Sequence, residues 1–204
     1  MYFLRNHFIV VFLLISATLP PAVNADVDTA TGNPPPALEA IVNLDFKIVI
    51  PGVLRFRVGD NAAGSVDLIT FTQPAATLGD GSDTAGTGGD LTGGSVTVSL
   101  VSNIGAVTIT EDNNSGGAGL GNGNGDFIPY TEILTTSTST DFAAPTLSDA
   151  GGGTSTPTPS NGNVTNRTAQ WTYVYDNSTA YPPGDYGADT GGGGGSVSYT
   201  AAAP

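Results

Sequence analysis

The chain has 204 residues, of which only 11% are charged, and its 18 acidic and 5 basic side chains give a formal charge of −13. An acidic field of that size excludes a nucleic-acid or anionic-lipid surface, because it repels both. There is no cysteine, and the single histidine (His7) and single methionine (Met1) lie at the extreme N-terminus, so disulfides, thiol nucleophiles, histidine bases, haem ligation and the usual zinc sites are excluded beyond it.

Arg5 and His7 precede an almost wholly apolar run over 8–19, which Pro20 and Pro21 break. Val23 and Ala25 then occupy the −3 and −1 positions of a cleavage site, which predicts a signal peptide over 1–25. The apolar core is well short of the ~20 residues that cross a bilayer as a helix, so no stable membrane insertion is expected once the signal is removed. The expected location is therefore exported: periplasm, cell surface or outside the cell. Residues 26–37 hold Thr, Gly, Asn and Pro34-Pro35-Pro36, a composition that predicts an extended, solvated leader. The remainder, 38–204, is one domain's worth of chain.

Parity becomes orderly at Leu38. Leu38, Ala40, Val42, Leu44, Phe46, Ile48 and Ile50 take even positions, and Glu39, Asn43, Asp45 and Lys47 take odd ones. Period two predicts a strand with one apolar face. Pro51-Gly52 interrupts it, and Leu54, Phe56 and Val58 resume the even pattern with Arg55 and Arg57 turned the other way. Later strands are predicted at 66–71, 96–101, 107–109, 128–134, 169–175 and 197–199, where Val, Ile, Thr and Tyr concentrate. The glycine-rich stretches 79–94, 113–125, 151–162 and 191–195 predict loops, and 141–150 has room for one short helical turn. No helical period is sustained, so the expected fold is all-β: an antiparallel β-sandwich, immunoglobulin-like or jelly-roll-like.

Glu111, Asp112 and Asp126 flank one of these glycine-rich loops. Calcium takes several carboxylate, amide and carbonyl oxygens, which makes these three the candidate metal ligands, although the spacing lacks the glycine and terminal glutamate of an EF-hand. No other cofactor and no catalytic residue is expected. Lys47, the one lysine, falls on the polar parity and is expected to face water. The run through Val42, Leu44, Phe46 and Ile48 is the candidate self-association strand, because thirteen alternating residues exceed the usual length of a strand within its own sheet.

Near the C-terminus stand Trp171-Thr172-Tyr173-Val174-Tyr175, then Pro182-Pro183-Gly184-Asp185-Tyr186, then Ser196-Val197-Ser198-Tyr199. A Pro-x-Gly-x-Tyr turn followed by an alternating strand resembles bacterial fimbrial subunits and spore-coat-U-like secreted proteins, and Ile128-Pro129-Tyr130 resembles a short element of the latter. The resemblance covers about 80 residues. It implies an immunoglobulin-like subunit, in some members completed by a strand from a neighbour; the disulfide common among the spore-coat-U group has no counterpart here. The function these features imply is an exported structural or interaction protein of the bacterial cell surface, fimbria-like or coat-like, whose partners are further copies or other surface proteins. The alternative is a carbohydrate- or calcium-binding module, with Trp171, Tyr173, Tyr175, Tyr181 and Tyr186 as sugar-stacking rings. The first three share one strand parity, which predicts core instead.

Overall fold

A computed structural model describes residues 26–32, 37–61, 66–188, 190 and 193–203. The expected signal peptide, 1–25, and the prolines of the leader lie outside the described residues. The chain divides between Val49 and Ile50 into two units. In the first, Asp28 Oδ2 accepts the Ile41 N–H at 3.0 Å, and Asp26 Oδ2 accepts both the Asn43 N–H and its side-chain amide at 3.3 and 3.1 Å. The alternation over 38–50 does not produce a strand: among the described residues these positions have no ladder partner and their side chains are exposed. Alternation favours extended backbone, but a strand exists only where a neighbour completes its hydrogen bonds.

Among its described residues the second unit carries twelve strands. They are β1 (Leu54–Val58), β2 (Ile69–Thr70), β3 (Asp83–Ala85), β4 (Thr87–Gly88), β5 (Ser95–Ser102), β6 (Thr108–Asn113), β7 (Leu120–Gly121), β8 (Phe127–Ile128), β9 (Ile133–Ser137), β10 (Thr154–Ser155), β11 (Thr165–Asp176) and β12 (Val197–Ala202). Single 3-10 turns occur at Ala75–Thr77, Tyr130–Glu132 and Thr140–Phe142. Every pairing is antiparallel. One sheet runs β1-β5-β11-β3 with β9 on the other side of β11, a second runs β10-β6-β12, and β2-β4 and β7-β8 form small ribbons. The all-β expectation is met.

Strands β5 and β11 make the centre because their alternation is unbroken. Val96, Val98 and Leu100 are buried on one face of β5, and Ala169, Trp171 and Tyr173 on the matching face of β11. The register sets Val98 opposite Ala169 and Val96 opposite Trp171, so both rows line one core with Val107, Ile109, Tyr130 and Phe142. Trp171 is fully buried; its ring lies 5.3 Å from Tyr199 of β12 at 61° and 5.7 Å from Phe142 at 75°. Its indole N–H donates to the Phe142 carbonyl at 3.1 Å. The five-stranded and three-stranded sheets thus touch through edge-to-face rings, a geometry that aromatic quadrupoles favour.

Where β5 ends against β11 and β3 begins, two backbones come close. Gly94, at φ +72°, accepts the Tyr173 N–H at 3.0 Å, and a Cβ there would sit 2.9 Å from both the Gly86 Cα and the Tyr173 carbonyl oxygen. Only glycine fits such a position.

Trp171→Ala removes the ring on which the sheets meet. Urea unfolding is expected to show a loss of about 3–5 kcal/mol, a large part of the ~5–15 kcal/mol of a typical domain.

Candidate functional site

The 38–50 segment presents an apolar row to solvent. Val42 is 60% exposed, Leu44 76%, Phe46 85% and Ile48 85%. Leu38 and Ile50 extend the row at either end, and both are exposed. Burying one such side chain stabilises by about 1.5–3 kcal/mol, so a contiguous row of this size is a strong demand for a covering surface. Lys47 is exposed, as are its neighbours of both parities.

The second unit offers a free edge of its own. Strand β1 pairs only with β5 among the described residues. The Gly59 N–H donates to Thr97 O at 2.8 Å and the Asn103 N–H to Val53 O at 3.2 Å, which makes the odd residues of β1 the ones bonded to β5. By the antiparallel alternation, the N–H and C=O groups of Leu54, Phe56 and Val58 point away from it. Arg55 and Arg57 project from the outer face, where they line an open cleft of about 520 Å³ with Phe56, Asp60, Asn61 and Ser99. The register places Arg57 beside Ser99 and Arg55 beside Val101. Strand β12 is a second edge, paired only with β6 among the described residues, but its outward residues Ser198, Thr200 and Ala202 are uncharged.

The acidic candidates are not brought together. Glu111 and Asp112 are neighbours on β6, so strand parity sends Glu111 into the core and Asp112 to the exposed face. Glu111 Oε1 accepts the Asn113 amide at 3.0 Å, while Oε2 is buried with no hydrogen-bond partner among the described residues. Asp126 accepts the Asn122 amide at 2.9 Å, and Asn122 Oδ1 accepts the Asn124 and Asp126 N–H groups at 2.8 and 3.2 Å. Asp126 Oδ2 and Asn122 Oδ1 are thus engaged within the 122–126 loop itself. Among the described residues no group of three or more His, Cys, Asp or Glu is placed to hold a metal ion. Asp80 accepts from Ser82, whose hydrogen bonds hold its carboxyl below the usual range, and Asp90 accepts the Thr97 N–H at 2.7 Å. These are turn-fixing roles.

Trp171, Tyr173 and Tyr175 are buried and unavailable to stack on a sugar; Tyr181 and Tyr186 are half-buried, bonded to Glu132 at 3.2 Å and to the Pro182 carbonyl at 2.8 Å. Sequence parity anticipates the first three but misses the polar company they keep. The Tyr173 and Tyr199 hydroxyls lie 2.9 Å apart, Tyr199 stands directly opposite Glu111, and the Tyr130 hydroxyl donates to the Gly194 carbonyl. Asn177, which opens an Asn-Ser-Thr triplet, is fully buried and holds the 77–81 loop by accepting the Gly79 N–H at 2.8 Å. It is closed to glycosylation, whereas Asn163 and Asn166 are exposed.

Comparison with family models, curated proteins and solved structures found no match. Function is therefore read from this chain's own residues: an apolar alternating segment, a strand edge bearing two arginines, and an aromatic interior with one buried carboxylate.

That interior predicts an alkaline transition. Burial pushes the Tyr173 phenol up to about 12 against the opposing effect of its bond with Tyr199; burial, then Glu111 and Asp149, push Tyr130 up to about 12, and burial and then Glu132 push Tyr175 to about 12. Tyr199 is raised further, by burial first, then by Tyr173 and Glu111. In the unfolded chain these phenols ionise near their ordinary value of about 10. Their contribution to stability is therefore full below about pH 10 and is lost as pH climbs through about 12. Urea midpoints measured across this range are expected to stay level to pH 9 and then fall steeply, with a shallower fall in Tyr173→Phe.

Proposed function

We propose that the protein is an exported structural or interaction protein of the bacterial cell surface, fimbria-like or coat-like, that associates with its own kind through the strand formed by Val42, Leu44, Phe46 and Ile48. The observation that carries this reading is the exposed apolar row of 38–50, which has no ladder partner among the described residues. A soluble monomer gains nothing from such a row, whereas strand addition to a sheet edge satisfies its backbone groups and buries its side chains together. The meeting of two sheets through Trp171 and Tyr199 supports the antiparallel sandwich, the architecture on which immunoglobulin-like and jelly-roll subunits are built.

Export is read from the basic, apolar and small-residue pattern of 1–25, and without cysteine the exported chain relies on core burial for stability. The role is read as non-catalytic, since the chain lacks cysteine and has its one histidine in the expected signal, which removes thiol nucleophiles and histidine bases from the mature protein. No helix among the described residues is long and apolar enough to cross a membrane. Partners are further copies or other surface proteins.

The test replaces Val42, Leu44 and Phe46 together by Ser in the full mature chain. Because these side chains are exposed, the thermal midpoint is expected to move little, while sedimentation velocity is expected to show loss of assemblies that the parent protein forms. Unfolding of the triple variant, or assemblies of undiminished size, would count against the reading.

A further inference from the structure

The register of that association can be worked out, an inference that rests on the self-association reading. We propose that the 42–48 segment of one copy adds antiparallel to the free edge of β1 in a second copy, with Val42 opposite Val58, Leu44 opposite Phe56 and Phe46 opposite Leu54, so that two copies complete each other about a two-fold axis at Ile50.

Three constraints converge on it. The first is backbone chemistry. The outward N–H and C=O groups of β1 belong to Leu54, Phe56 and Val58, because the odd residues are bonded to β5. An incoming strand must offer residues in bonded pairs with these three, and the proposed register pairs them with Phe46, Leu44 and Val42. It also sets Pro51 opposite Val49 at an unbonded position, where the missing N–H of proline is harmless.

The second constraint is facial. Phe56 and Val58 pack against the core, and Arg55 and Arg57 face outward. Only an even-to-even register continues the apolar face of β1 with the apolar row of the segment, because a slip of one residue turns every side chain over.

The third is charge. Four of the five basic residues of the chain are Arg5, Lys47, Arg55 and Arg57, so a register must keep Lys47 away from the arginines and bring an acid to them. Asp45 opposite Arg57 would drive Lys47 onto Arg55. Asp45 opposite Arg55 moves Lys47 to Val53, leaves Asn43 beside Arg57, and keeps Asp45 within diagonal reach of that second arginine. Registers that use Glu39 instead carry Leu44 and Phe46 past the end of β1. The free edge of β12 offers no charge to Asp45 at all.

In this register the position numbers of each facing pair are mirror images about residue 50, so what a copy donates it also receives. That is an isologous interface, the commonest way for a homo-oligomer to close.

The absence of cysteine allows a disulfide test in the full mature chain under mild oxidation. Facing Cα atoms of an antiparallel pair lie about 4.5–5.5 Å apart, inside the range a disulfide spans. Ile50→Cys is expected to cross-link to itself, and Asn43→Cys mixed with Arg57→Cys is expected to give the hetero-dimer. Asp45→Arg is expected to weaken dimerisation about tenfold, the equivalent of about 1.4 kcal/mol, with recovery when Arg55→Asp is added. Cross-linking of the mixed pair without Ile50→Cys would overturn the two-fold closure in favour of an open chain. Cross-linking of Asn43→Cys with Ser198→Cys would move the site to β12. Assemblies that form without any of these cross-links would overturn the register while leaving self-association standing, and a parent protein that stays monomeric at high concentration would overturn both.

Discussion

The structure depends on one contact, the edge of the Trp171 indole against Tyr199. β11 is the strand shared by β5, β3 and β9, and β12 belongs to the other sheet, so this pair of rings is where the two hydrogen-bonded systems become one body. Phe142 closes the other side of the indole, and its carbonyl takes the indole proton. A buried tryptophan needs such an acceptor, since an orphaned N–H is costly in a dry interior. The 3-10 turn at Thr140–Phe142 exists to supply both the ring and the carbonyl, and the Ser137 hydroxyl fixes the turn by donating to that same carbonyl.

Around this apolar centre the core is unusually polar. Glu111, Tyr130, Tyr173 and Tyr199 sit together, with the tyrosines raised by burial before any neighbouring charge acts. A protein with no disulfide cannot rely on cross-links to define its interior; directional hydroxyl contacts between strands do part of that work here, tying β12 to β11 through Tyr199 and Tyr173. Arg167 shows the same economy at the rim. By register it shares a face with Leu100, and its guanidinium turns outward to the Thr158 and Pro159 carbonyls and to Asp141 at 3.3 Å.

How much of this was legible follows from what alternation can express. β1, β5, β11 and β12 could be read directly, because each carries its own period. β3, β4, β7 and β10 could not: Asp83-Thr84-Ala85 becomes a strand because β11 runs past it, and two-residue strands such as Thr87–Gly88 have no period to read. The acidic candidates separate for a related reason. Glu111 and Asp112 looked like paired ligands as neighbours in a list, yet adjacent residues on a strand point to opposite faces. For 38–50, alternation predicted a strand, but among the described residues the segment has no ladder partner, and alternation could not say where one would be. That is information about a surface elsewhere, and no local pattern holds it.

The charge distribution shows why such a surface is tolerable. A flat edge strand with outward backbone groups is an invitation to uncontrolled pairing, and natural sheets defend it with charge. The chain as a whole is strongly acidic, which keeps copies apart, but the β1 edge carries the opposite sign through Arg55 and Arg57. An uncharged apolar strand meeting that edge would have to desolvate or displace two guanidinium groups. A strand with a carboxylate at the matching position offsets part of that cost, and the alternating segment has one in Asp45. The feature that defends the edge against arbitrary strands therefore also selects the one strand the chain carries for it: discrimination comes from the pairings the arginines disfavour as much as from the one they accept.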